Sequence, residues 1–540
     1  MGEHRALARG RACEAAARSA LEARAEIEVL KDARHDVVVV GSGAAGGALA
    51  ARLAERGGGS VLVVEAGPVE RQPEADRLSN VSFALTQRDW GLEVELAPGR
   101  RSAYPQGKAA GGSSAVNGAL ALRGLPSDYD GWAALGNAPW SWAELLPCFR
   151  RLEDDRDASG PLHGRGGPIP IVRWGEPELT AQQRAFRDGC LAHGFAAVAD
   201  HNDGRSFGVG PFPMNRAEGR RVSTAMGYLE PARALPGLAI EGGARAVRVR
   251  FEGRRATGVE LEQRGERRFA AAREVILAAG AIQTPALLWR SGVGPAAELA
   301  RLGIDVVCDL PGVGASLMEH VGAFLLAVPE PGVCDPSEVQ FQLGVRAPRS
   351  EHADEGELFF GMMSYWDLAA QPELAARAGA PLVFALTCGV QRPHARGRVR
   401  LDGADPSLPP RVELNLLGHP EDRRRLRHAL RTCRALAAQP PLARRIRRLA
   451  LLDDAAFHDD AALDAYLAAT CLPWYHPSGT ARMGPDRDPG AVVDPTLRVR
   501  GVEGLRVADA SVIPRIPRAP TNLTCIAIGE RAADLVAAGS

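Results

Sequence analysis

Lysine is almost missing from this chain: of 65 basic residues only Lys31 and Lys108 are not arginine, which reads as codon bias rather than a chemical choice. Net charge is missing as well. The 65 basic residues face 65 acidic ones, so no global field draws the chain to nucleic acid or an anionic membrane surface. No apolar run approaches the ~18 residues that a bilayer-spanning helix needs. The nine cysteines are scattered and odd in number, without a CxxC spacing, which excludes a paired-cysteine metal or redox motif and disfavours a secreted disulfide framework. The first 34 residues lack the apolar core of a secretory signal, and Glu14, Glu22, Glu26 and Glu28 argue against an acid-poor transit peptide. They are expected to form a solvent-facing helical extension, and a cytoplasmic location follows by default.

What is present is a 540-residue chain, 46% hydrophobic and 24% charged, long enough for two or three domains or two built discontinuously. Alternating strand and helix patterns begin at His35. Val37 to Val40 is a β-branched run of the kind buried in a parallel sheet, an Ala/Leu helix extends to about Glu55, and Val61 to Val64 forms a second run. From Arg71 to Pro105 no strong periodicity stands out, and loop is expected. Between Leu238 and Ala279, three period-two stretches (Ala246–Val249, Gly258–Leu261, Val275–Ala278) read as a small antiparallel addition feeding back into the main sheet. From about Val321 to Leu472 the composition shifts to prolines, dispersed charges and arginine-rich helical stretches such as Glu421 to Arg434. A strand at Leu505–Ala508 and a closing helix from Cys525 to Ala538 return to the first pattern.

Between the first strand and helix lies Gly41-Ser42-Gly43-Ala44-Ala45-Gly46, the dinucleotide fingerprint: Gly41 for the tight turn, Gly43 for approach to a pyrophosphate, Gly46 for helix-to-strand packing. Free N–H groups at the helix start favour phosphate. Glu65 ends the second strand 24 positions after Gly41, where a carboxylate meets the adenosine ribose. The pattern announces a dinucleotide without separating NAD from FAD.

From about Asp36 to Leu535 the chain resembles the glucose–methanol–choline (GMC) family of FAD-dependent oxidoreductases. The resemblance is carried by Gly107 to Asn117 (GKAAGGSSAVN), Arg123-Gly124, Asp128 to Trp132, Gly280 to Leu288, Ser291 to Gly294, Leu310 to Gly314, Tyr475 to Thr480 and Val507 to Ser511. Ala110 stands where the family usually has a larger aliphatic residue, a small packing adjustment. The resemblance implies an α/β fold: a Rossmann-like FAD-binding domain, discontinuous in sequence (residues 35–158, 210–316 and 484–540), and a substrate-binding domain of antiparallel sheet plus helices (159–209 and 317–483). It also implies that Gly107, Gly112, Ser113 and Asn117 lie against flavin and pyrophosphate, Ala246 near adenine, and Asp509, Ala510 and Thr521 on the ribityl-phosphate side. Family members that tether FAD do so through a histidine just before the GK motif; Gln106 at that position makes FAD non-covalent here.

The resemblance further implies alcohol oxidation, with His476 as catalytic base and Asn522 as its companion. An imidazole that titrates near neutrality suits removal of a hydroxyl proton while hydride leaves for the flavin, and oxygen or a quinone-like carrier then takes the electrons. Pro520, Leu523 and Thr524 depart from the family's string around Asn522. His320, after Met318-Glu319 where the family tends to show Asp-His, is expected to be a structural or domain-junction residue, and the arginines from Arg392 to Arg398 are expected to belong to a structural turn. Hydroxynitrile lyase chemistry on the same fold is the alternative. A photodecarboxylase is disfavoured by Gln391 in place of its cysteine, and a flavin binder without turnover by His476 and Asn522 together. Met362, Met363, Tyr365, Trp366 and Phe384 suit an apolar pocket or an ordinary core equally.

Overall fold

In the computed structural model residues 34–57, 59–70, 76–78 and 88–539 are described. All but the last residue of the expected N-terminal extension fall outside them. Strand β1 (His35–Val40) enters helix α1 (Ala44–Glu55) through the glycine turn, and β2 (Val61–Val64) returns parallel to β1, pairing Val37 with Val61 and Val40 with Val64. The β-branched runs fit this place because both faces are covered, and Val61 to Val64 are all buried.

Strand β3 (Leu238–Glu241) extends the sheet beyond β2. Strands β4 (Ala244–Glu252), β5 (Arg255–Gln263) and β6 (Glu266–Leu277) follow as a meander. The first half of β6 pairs antiparallel with β5, and its second half lies parallel to β1, so one strand serves both the meander and the main sheet. After helix α2 (Gly280–Arg290) the chain leaves, and it comes back late as β7 (Leu505–Val507), parallel to β6, and helix α3 (Asn522–Ala537). The parallel order is β3-β2-β1-β6-β7.

A second, antiparallel sheet has the strand order Ile446–Leu449, Val321–Pro329, Leu382–Val390, Leu358–Asp367, Leu343–Arg346, Gly208–Pro211. Helix Pro420–Ala437 lays Leu426, Ala429, Leu430, Cys433 and Leu436 into the core beneath it. Met362 and Phe384 are completely buried in that core, while Met363 and Trp366 pack on a satellite cluster around Leu368, so four of the five pocket candidates are packing residues.

The loop expected from Arg71 to Pro105 is corrected in its second half. Leu92–Ala97 and Arg100–Tyr104 form a hairpin that joins the strands Arg398–Arg400 and Arg411–Glu413. Leu92, Val94 and Leu96 point inward while Glu93 stays exposed, a period-two signal ending at the turn Pro98-Gly99. The closing helix also begins at Asn522 rather than at Cys525.

Candidate active site

The glycine turn is built by steric exclusion. Gly41 has φ +99°, and a Cβ there would stand 2.5 Å from the Ala278 carbonyl oxygen, while one on Gly46 would stand 2.0 Å from that of Gly41. Only hydrogen fits at either position. Gly43 differs: a Cβ there would meet nothing nearer than Gly112 Cα at 3.9 Å, so its missing side chain leaves open space over the helix start. Helix α1 has Gly43 as N-cap, with no side-chain cap and no acidic residue in its first turn. The N–H groups of Ala44, Ala45 and Gly46 therefore remain donors in search of an anion.

Two further glycine segments close on this turn. A Cβ on Gly112 would lie 2.8 Å from Gly43 Cα, one on Gly107 2.3 Å from the Gly112 carbonyl oxygen, and one on Gly67 2.0 Å from that of Lys108. Ser42 ties them together: its carbonyl accepts from Gly111 N–H at 3.0 Å, and its hydroxyl donates to Glu65 at 2.6 Å. The Glu65 carboxylate also accepts from the N–H groups of Ser42 and Gly67, and burial raises it above the usual carboxylate range. Ala244 N–H donates to the Glu65 carbonyl, which sets Ala246, at an irregularity of the β4–β5 pairing, beside the same end of the site. Ser113 is exposed, and the Asn117 side chain accepts from Ala119 N–H at 2.9 Å.

Asp509 is buried and spends both oxygens inside the chain, on Gly280 N–H and the Thr284 hydroxyl at one and on Ser511 at the other. It thus holds the start of α2 against the segment carrying Ala510. Ala510 accepts from Gly479 N–H at 3.0 Å, which brings the Tyr475–Thr480 turn alongside. Thr521 stands at the N-cap position of α3 without a side-chain capping hydrogen bond, and Asn522 is the first residue of that helix. The Asn522 Nδ2 is buried and meets no acceptor among the described residues.

His320, expected to be structural, proves to be the neighbour of His476. It is fully buried, and its Nε2 lies 3.0 Å from the Pro517 carbonyl oxygen. A carbonyl only accepts, so Nε2 carries the proton. Burial holds the ring down at about 4, neutral at physiological pH, which leaves Nδ1 bare. The His476 Nδ1 stands 2.9 Å from that bare nitrogen and must donate to it. The His476 Nε2 therefore keeps its lone pair. Burial and His320 hold the His476 imidazole well below its ordinary range, so it too is neutral. No local sequence signal points to this partner, because the contact spans 156 residues.

The open helix start, the glycine cradle, the ribose-spaced carboxylate and the unspent Asn522 amide fit a dinucleotide that carries a reactive ring. Comparison with known proteins agrees. Two family profiles, both described as GMC oxidoreductase, match residues 35–322 and 393–529. The 5-(hydroxymethyl)furfural oxidase of Methylovorus sp. is 37% identical over 94% of this chain and 99% of its own length. The oxygen-dependent choline dehydrogenase of Brucella anthropi is 34% identical over 92% and 95%. The crystal structure of pyridoxine 4-oxidase from Mesorbium loti superposes with a TM-score of 0.85 at 31% identity, covering 92% of this chain and 98% of that one. The chain belongs to the GMC oxidoreductase family, enzymes that bind FAD and oxidise alcohols.

Proposed function

We propose that His476 Nε2 takes the hydroxyl proton of an alcohol substrate and that Asn522 holds the substrate oxygen. The observation that carries this reading is the tautomer imposed by the Pro517 carbonyl through His320, which leaves His476 a neutral base with its lone pair free. A base of this kind contributes typically 10²–10⁴-fold. The Asn522 Nδ2, buried without an acceptor, is a donor ready for the alcohol oxygen, and without one it would cost ~1–3 kcal/mol.

Bound FAD supplies the hydride acceptor. The pyrophosphate would be held by the N–H groups from Gly43 to Gly46, the ribose by Glu65, and the flavin side by Gly107, Gly112, Ser113, Asn117, Ala510 and Thr521. Asp509 acts through the backbone it braces. FAD is non-covalent in this reading, because the Gln106 amide makes no bond to it; acid precipitation should leave yellow flavin in the supernatant. The names of the relatives favour primary alcohols. Electrons pass on to oxygen or a quinone-like carrier, told apart by peroxide release in air. Eight unpaired cysteines among the described residues, seven of them buried, fit a reducing compartment, and we place the enzyme in the cytoplasm.

The test is anaerobic mixing with a panel of primary alcohols, read as bleaching of the flavin. Bleaching by at least one alcohol is expected, slowed roughly 10²-fold or more in His476→Ala. Substrate turnover with the flavin still oxidised would instead establish lyase chemistry.

A further inference from the structure

Glu319 is buried directly before His320, yet neither proton abstraction nor cofactor binding uses it. Its carboxyl is met by donors from two separate parts of the chain. The backbone N–H of His476 donates to both oxygens, at 2.8 and 3.0 Å, and the Tyr104 hydroxyl donates to Oε2. Tyr104 ends the strand Arg100–Tyr104 and stands three residues before Gly107, where the second glycine segment begins.

His476 sits on a turn under tension. Tyr475 has φ +63°, a conformation that a residue with a side chain adopts only where its surroundings enforce it. On one side the turn is anchored by Trp474 N–H donating to the His320 carbonyl at 3.0 Å. On the other side the anchor is the Glu319 carboxyl. The Tyr104 ring packs on that of Tyr475 with centroids 5.3 Å apart, so the same tyrosine touches the strained residue and the carboxyl that restrains it.

We propose that Glu319 and Tyr104 are positioning residues: by sharing one carboxyl, the Tyr104 hydroxyl and the His476 amide fix the spacing between the cofactor-binding glycine segment and the base. The inference rests on His476 being that base. It makes side-chain length decisive, since aspartate is shorter by about 1.5 Å and reaches one donor but not both.

The experiment uses the flavin-loaded enzyme and the variants Tyr104→Phe, Glu319→Gln, Glu319→Asp and the double Tyr104→Phe/Glu319→Gln. The limiting rate of anaerobic flavin bleaching should fall roughly tenfold in each single variant, with KM and flavin content little changed. The double variant should be no slower than the slower single one, because both changes break one shared link. Apart from turnover, deuterium exchange at the His476 amide should quicken roughly tenfold in Glu319→Gln. Tyr104→Phe removes a single hydroxyl, so it provides the rate test even if the Glu319 variants fold poorly. Lower melting temperatures with unchanged bleaching rate and unchanged exchange would overturn the proposal and leave the pair as ordinary core. If His476→Ala itself bleached at the normal rate, the assignment of the base would fall, a result separable from failure of Tyr104→Phe alone.

Discussion

Two glycines of one motif are glycine for different reasons. Gly46 is pinned by backbone, with its would-be Cβ 2.0 Å from the Gly41 oxygen and 2.9 Å from the Ala278 Cβ, whereas Gly43 has room. Gly46→Ala should therefore push α1 off β1 and destabilise the fold by about 1–3 kcal/mol, seen as a lower denaturation midpoint. Gly43→Ala should fold normally and lose only affinity for FAD, measured by titrating flavin into the stripped protein. Equal destabilisation by both would contradict the steric account. Gly41 to Gly46 and Glu65 were legible because spacing and residue type carry their chemistry. The contact of His320 with His476 was not legible. No local pattern marks a histidine as the partner of another 156 residues away, and its role depends on which carbonyl faces its Nε2.

Among the elements, α3 is locked to α1 by small residues and one buried charge. A Cβ on Gly529 would stand 2.2 Å from the Ala45 carbonyl oxygen, so the helices touch backbone to backbone. Next to it the Glu530 side chain, wholly buried, accepts from Arg52 at 2.9 Å, Arg151 at 2.5 Å and the Tyr228 hydroxyl at 2.6 Å. Glu530→Ala should cost about 3 kcal/mol in chemical denaturation, because the cations and the phenol lose a shared acceptor. A cost below 1 kcal/mol would show that Arg52 and Arg151 turn to solvent freely. The elements of the parallel sheet were readable from periodicity, together with an antiparallel addition feeding back into it, whereas the strands of the second sheet were not read one by one. The hairpin at 92–104 was missed because its alternation is short and its partner strand, Arg411–Glu413, is some three hundred residues away. The early start of α3 was hidden by Asn522, a poor helix former in mid-helix that is tolerated at the first helical position.

Across the whole molecule, charges cancel locally as well as in sum. Glu153, Asp155 and His163 lie close enough to suggest a metal site, but Arg123 pairs with Glu153, Arg173 with Asp155 and Asp200, and His163 bridges Asp155 at 3.0 Å and Asp200 at 3.1 Å. The carboxylates of Asp155 and Asp200 beside it push the His163 imidazole up to about 9. A pKa raised by folding adds stability in full below the unfolded value near 6.5 and loses it as pH climbs through about 9. His163→Gln should therefore melt well below the native protein at pH 6, by up to about 3 kcal/mol, and nearly with it at pH 10. A gap that did not change with pH would rule out a charged His163. Read alone, the sequence determined that the chain binds a dinucleotide and, through its scattered family motifs, that this dinucleotide is FAD and the chemistry alcohol oxidation. Those features are local: a turn, a helix start and a carboxylate at fixed spacing carry their chemistry wherever they fold. Only the tertiary structure decided which histidine nitrogen holds the proton, what braces the turn beneath it, and that Asp509 spends its charge on the chain itself. Each of those depends on hydrogen bonds between segments remote in sequence, His320 with His476, Glu319 with Tyr104 and Asp509 with Gly280 and Thr284, whose partners exist only once the chain has folded.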